Sequence, residues 1–419
     1  MMKKHKLLKL FLVLMFFGGL LFVGNAPGLA AETYKIGVIQ AFSGVFSVYG
    51  EETYPACEIA VDKVNAGGGV LGRKMELFKR DTKAQPDTAV RATQDLINRD
   101  KIDALLGGTG SGELLGALEV TREHKVIHLS SSSNAEKANI ERIHPYFFQM
   151  TPNTYMEASS AARALANHKF NTYVTIALDY EWGHANVETF NQIIKEVNPN
   201  AKNIGEYWPP LKEVDFSSYI TAILNKKPDL VYGVFVGGTF QTFIRQARGY
   251  RFFEKVKYHC QGMEPDLMAL KEEFPEGQRI YSRGAWYAIK NPEMDAFRKE
   301  YVKRTGREPG AFAILAYDNI LALAESIKRA GSFDRDAIAK ALATGKHKTL
   351  RGELYFRPLD HQMNSPMYFS TSYFDKKRGY CIGKDILIVP GEKTWRSEEE
   401  TKKLRAEKGI KFTPWSEKK

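Results

Sequence analysis

The chain has only three cysteines in 419 residues, Cys57, Cys260 and Cys381, and no C-x-x-C pair. So small and odd a number excludes a disulfide scaffold and an ordinary zinc site. Isolated buried thiols are expected, with material for one bridge at most. An excess of one charge sign is also missing. The formal net charge of +11 falls to +7 once Lys3, Lys4, Lys6 and Lys9 of residues 1–31 are set aside, and many of the remaining basic residues sit beside acids, as in Lys299-Glu300 and Lys271-Glu272-Glu273. A surface so mixed offers no stripe for a polyanion, which argues against nucleic acid as a partner. Catalytic signatures are absent as well. There is no G-x-x-x-x-G-K-S/T loop and no serine nucleophile elbow, and His124, His128 and His144 have no metal-ligand spacing. Neither an enzyme nor a cofactor nor a metal is expected.

What is present begins with residues 1–31. Lys3, Lys4, His5 and Lys6 precede a predominantly apolar run from Leu7 to Val23, and small residues follow at Gly28, Ala30 and Ala31. Seventeen residues is at the bottom of the range for a membrane span, and a Gly-Asn-Ala-Pro-Gly break follows where a stop-transfer cluster would stand. This predicts an export signal cut after Ala30 or Ala31. No cysteine lies in the first 56 residues to accept a lipid, so a soluble periplasmic protein is expected. The remaining 388 residues are too many for one ordinary core and predict two domains.

Hydrophobic periodicity then alternates between strand and helix. Strands are predicted at 34–40, 75–78, 103–107 and 126–129, with helices at 51–65, 86–98 and 112–123 between them. That order predicts a parallel sheet covered on both faces. A second series repeats it: strands at 173–178, 230–235 and 256–259, helices at about 184–196, 216–225 and 239–248. Long helical stretches at 293–305, 311–330 and 334–343 and a strand-like 353–356 carry too few strands for a third domain, so the chain is expected to return to the first lobe. The tail 392–419 is dense in charge, with Trp395, Leu404, Ile410, Phe412 and Trp415 as its sizeable apolar residues; it is expected to wrap onto a lobe or to fray.

Several loops carry chemistry. Gly67-Gly-Gly-Val-Leu-Gly72 has the letters of a dinucleotide fingerprint but follows a helix and precedes a strand, the inverse of what a phosphate needs. Gly107-Gly-Thr-Gly-Ser-Gly112 has the right context, a strand before it and a helix after it. Its free N–H groups and the Ser111 hydroxyl suit one carboxylate, or the loop is merely a tight turn. Ser130-Ser-Ser-Ser-Asn134 puts a second polar loop at the carboxyl edge of the same sheet, where open α/β sheets bind ligands, and equally reads as a capping turn. Glu264, in Gly262-Met-Glu-Pro-Asp266, holds the matching place in the second series and either faces a ligand cation or is solvated.

Taken together, Ile36-Gly-Val-Ile-Gln-Ala-Phe-Ser-Gly44 with Tyr49-Gly50, Val64 to Arg73 with Asp81 beyond it, Ile244-Arg-Gln-Ala-Arg248 and Ala316-Tyr-Asp318 resemble the periplasmic leucine/isoleucine/valine-binding proteins of ABC importers. The resemblance implies an α/β fold of two doubly wound lobes joined by three crossovers and closing on a ligand. It divides the chain into a signal 1–31, an N-terminal lobe 32–151 plus 284–357, a C-terminal lobe 152–283 plus 358–391, and a tail 392–419. By resemblance Ser111 binds the ligand carboxylate with backbone amides of the Ser132-Ser133 loop, while that loop and Glu264 hold the ammonium. Tyr49 and Phe312 wall the side-chain pocket. Trp182 stands where the second lobe usually offers a tyrosine, and Gly237-Gly238 stand where branched-chain binders present an aromatic. The implied function is capture of a small carboxylate-bearing solute, an amino acid of branched-chain type or a relative, by a monomer that delivers it to an inner-membrane permease. The rivals are an aromatic or other organic acid, favoured by Trp182, Tyr49, Phe312 and Trp286, and a ligand-sensing partner of a membrane receptor.

Overall fold

A computed structural model describes residues 32–44 and 46–417; the predicted export signal lies outside them. Among the described residues fifteen strands form two sheets. The chain first lays down β1 (Tyr34–Gln40), β2 (Met75–Asp81), β3 (Ala104–Gly107), β4 (Ile127–Ser130) and β5 (Phe147–Gln149), then β6 (Thr172–Ala177), β7 (Lys202–Tyr207), β8 (Leu230–Val234), β9 (Lys257–Gln261) and β10 (Arg279–Ser282). It ends with β11 (Lys346–Thr349), β12 (Gly352–Arg357), β13 (Gln362–Met363), β14 (Met367–Asp375) and β15 (Tyr380–Val389). The first sheet has the order β11-β12-β13-β5-β4-β3-β1-β2 and the second β15-β14-β10-β9-β8-β6-β7.

The expected parallel core is present in both sheets, with antiparallel edges added. In the first sheet β1 to β5 and β13 pair in parallel, while β11, β12 and β13 pair antiparallel. In the second, β14 runs antiparallel to both β10 and β15. The chain passes between the sheets three times, after Gln149, Ser282 and Met363. The last passage falls later than the expected residue 357, because β13 holds Gln362 beside Gln149 in the first sheet.

Near-continuous apolar strands are buried on both faces. In β1, Ile36 and Val38 join a core with Ala56, Ala60, Val61 and Val64 of the helix Ser47–Ala66, while Ile39 packs on the other side with Ala92, Leu96, Leu105 and Ala117. The turn out of β3 needs glycine. Gly107 has φ +123°, and a Cβ there would lie 2.0 Å from the Ile39 carbonyl oxygen. That turn launches the helix Ser111–Glu123 at the carboxyl edge of the sheet.

The charged tail wraps. Arg396 pairs with Glu136 at 2.7 and 3.1 Å, Arg405 donates to the carbonyls of Leu359 and Asn139, and Trp415 is buried with its indole N–H on the Pro145 carbonyl. All three cysteines are free and buried.

Candidate functional site

Six of the eight predicted site residues line one cavity: Tyr49, Ser111, Ser132, Ser133, Trp182 and Phe312. Loops at the carboxyl ends of β3 and β4 contribute the serines, the helix Glu181–Val197 after β6 contributes Trp182, and the helix Ala311–Ala330 contributes Phe312.

The polar end is assembled around Gln40, at the end of β1. Its amide donates to Ser132 Oγ at 3.0 Å, and the Thr109 hydroxyl donates to its carbonyl oxygen at 2.5 Å. Gly110 N–H is taken by Glu113 at 2.6 Å, while the next amides of that helix start, those of Ser111 and Gly112, have no intrahelical acceptor. Ser133 Oγ is buried without a hydrogen-bond partner. Two hydroxyls and a helix N-terminus therefore converge, donors suited to a carboxylate. One expected donor is spent, however: Ser133 N–H bonds the Gly108 carbonyl at 3.0 Å.

Two predicted residues do not line the cavity. Gly237 stands behind Tyr49, its N–H donating to the Tyr49 hydroxyl at 2.8 Å and to Asp266 Oδ2 at 3.2 Å. Glu264 is fully buried and not solvated, and its Oε2 accepts the Ala311 N–H at 3.2 Å, away from the cavity lining. Trp286 is also elsewhere, between the Arg298 and Arg378 guanidinium groups at 4.5 and 4.6 Å.

Sequence reasoning missed the group that organises the other wall. Arg283, on the chain leaving β10, points into the cavity and pairs with Glu157 through two bonds of 3.0 and 3.1 Å, and its third nitrogen donates to the Ser132 carbonyl at 2.8 Å. Both side chains are buried, 4% and 0% exposed. Glu157 also accepts the Trp182 indole N–H at 3.0 Å, the Asn134 amide at 2.8 Å and the Gln261 amide. Every one of these donors lines the cavity, and Glu157 itself does not. The indole therefore offers the ligand its ring and not its N–H. The remaining wall is aromatic: Tyr49 meets Phe312 edge-on at 4.9 Å, and Arg283 lies 5.6 Å from the Phe312 ring centre. Among the described residues no carboxylate side chain lines the cavity. A signal for Glu157 existed: it is the lone charged residue in Met156-Glu-Ala-Ser-Ser-Ala-Ala162, a stretch of otherwise small or apolar residues.

A family model, "Periplasmic binding protein", matches residues 33–376. Among curated proteins the chain is similar to "Leu/Ile/Val-binding protein homolog 7" of Brucella abortus (strain 2308), 23% identical over 335 residues, 76% of this chain and 82% of that one. Among solved structures it is similar to a solute binding protein of an ABC transporter from Rhodopseudomonas palustris BisB5 in complex with 3,4-dihydroxybenzoic acid, with TM-score 0.78, 21% identity and coverage of 86% and 98%. An amino acid ABC transporter substrate-binding protein from Pseudomonas fluorescens Pf-5 gives TM-score 0.79, 21% identity and coverage of 89% and 99%.

Proposed function

The chain belongs to the periplasmic binding protein family, and on that premise we propose that it is the exported solute-binding subunit of an ABC importer, and that its solute is a small carboxylic acid without an amino group, an aromatic acid foremost. As a member of this family it binds its solute and does not transform it. Among the described residues no helix is long and apolar enough to cross a membrane. The observation that carries the ligand class is the absence of an acidic side chain from the cavity wall. An α-ammonium enclosed there would lose its water and meet no counter-charge, and an unpaired buried ion costs several kcal/mol. A carboxylate fares differently. Ser111, Ser133 and the helix start supply donors, the Arg283 charge is already balanced by Glu157, and Tyr49, Trp182 and Phe312 offer ring surface to an aryl group. The complex of the R. palustris relative with a hydroxylated benzoic acid supports this reading.

Thermal denaturation with candidate ligands tests it. Benzoate and 3,4-dihydroxybenzoate are expected to raise the melting temperature progressively, approaching about 2.7 kcal/mol of stabilisation at a hundred times the dissociation constant. Leucine, isoleucine and valine are expected to leave it unchanged. A shift with the amino acids and none with the aromatic acids would reject the proposal in favour of the amino-acid reading.

A further inference from the structure

The helix Ala311–Ala330 begins at the seam between the two sheets, and two buried carboxyl groups reach its first amides from opposite sides. Glu52, on the helix Ser47–Ala66 that packs in the first lobe's core, accepts the Ala313 N–H on Oε1 at 3.0 Å. Glu264, which follows β9 of the second sheet, accepts the Ala311 N–H on Oε2 at 3.2 Å. Gly310 makes room for this, since a Cβ there would lie 2.4 Å from Glu52 Oε1. The other oxygen of each group, Glu52 Oε2 and Glu264 Oε1, is buried without a donor among the described residues. Two desolvated carboxylates beside each other would repel, and each would carry an unsatisfied charged oxygen. One proton on Glu264 removes the repulsion and one of the two charged oxygens.

Burial outweighs what the surroundings offer the charge: the Ala313 and Phe312 amides and Arg307 favour ionised Glu52, and the Ala311 amide and Glu264's own amide favour ionised Glu264. Arg307, ahead of the helix, is the cation acting on Glu52, and it also stands 3.9 Å from Glu51. Asp266 adds negative charge on the Glu52 side, where the Tyr301 hydroxyl bonds the Glu52 main-chain carbonyl and not its carboxyl. Tyr287 and Tyr380 face Glu264 as neutral phenols. Burial pushes Glu52 up to about 7, and burial with the neighbouring Glu52 charge pushes Glu264 well above the usual carboxylate range.

We propose that the Glu52–Glu264 pair holds a proton while the cleft is closed and releases it when the lobes part, so that closure takes up a proton. Parting withdraws Glu264 from Ala311 and lets water reach both groups, which returns them toward ordinary carboxylate behaviour. The closed state therefore binds more protons than the open one. Closure is strengthened as pH falls from about 7 toward the ordinary glutamate value, by up to about tenfold per pH unit for one proton.

The test uses the full chain without ligand, so its outcome does not depend on which solute the cleft takes. X-ray scattering should give a smaller radius of gyration at pH 5.5 than at pH 8. Glu264→Gln, which keeps the shape of the protonated acid but cannot ionise, should be compact at both. Glu52→Gln should shrink the pH effect in the same direction, and infrared spectra at pH 6 should contain a protonated-carboxyl band that Glu264→Gln or Glu52→Gln removes. Identical pH responses in the wild type and both variants, or a wild-type spectrum without that band, would overturn the proposal.

Discussion

Glu157→Leu is expected to destabilise the protein by about 3–5 kcal/mol, the largest effect of any single substitution around the cleft, because it strands the Arg283 guanidinium in the interior without its counter-charge. The substitution also removes the acceptor of three more buried donors, on Asn134, Trp182 and Gln261. Leucine can fill the volume and satisfy none of them. Urea denaturation followed by fluorescence should show the loss as a lowered midpoint. The double variant Glu157→Leu/Arg283→Met should recover a large part of it, since replacing a whole buried pair by apolar groups costs far less than breaking it. A single variant within about 1 kcal/mol of the wild type would mean that Arg283 finds water or another acceptor, and that Glu157 does not organise the wall.

That pair also explains which parts of the molecule could be read from sequence. The strands Tyr34–Gln40, Ala104–Gly107 and Leu230–Val234 are buried apolar runs bounded by turn residues, so local periodicity suffices to find them. Lys202–Tyr207 went unread because it is the last strand of the second sheet and keeps half-buried polar residues, with no apolar run. The β14–β15 hairpin went unread because Ile386, Leu387 and Ile388 stay exposed, so no inward–outward alternation marks the strand. Ser111, Ser132 and Ser133, which line the cavity, were legible since each follows the carboxyl end of a parallel strand, which is where such sheets place their ligands, whereas Trp182 came from the family resemblance alone. The same rule put Glu264 at the cavity, which it does not line. Its position after β9 is as expected, but its side chain satisfies the start of a helix 47 residues further on. Arg283 and Glu157 are 126 residues apart and have no local pattern in common; only the fold brings them together.

The charge state of the cleft has a consequence for selectivity. With Arg283 bonded to Glu157 and to the Ser132 carbonyl, three of its five N–H donors are spent on protein groups and its charge is balanced, so the serine hydroxyls and the helix start are the main donors left for the anion. Binding by dipoles favours a monoanion over a dianion, because an added charge needs a further cation, and the charge of Arg283 in the wall is already balanced by Glu157.

Ser111→Asp turns this reasoning into a test, with an expected loss of at least a hundredfold in affinity for benzoate. An aspartate at the first position of a helix suits the helix itself, since a carboxylate there interacts favourably with the dipole. Folding should be preserved, since this favourable interaction offsets part of the cost of placing a charge at a site only 4% exposed. The same carboxylate would occupy the donors proposed for the ligand and repel its charge, and like-charge juxtaposition costs several kcal/mol, each 1.4 kcal/mol being a factor of ten. Ser111→Ala separates the two contributions, since losing one hydrogen bond to a charged group should cost about 1.5–3 kcal/mol and leave measurable binding. Calorimetry on both variants reads the affinities, and melting curves without ligand read the fold. If Ser111→Asp binds benzoate within tenfold of the wild type, the carboxylate lies away from the Gly107–Gly112 turn, and Arg283 becomes the group to examine as its anchor.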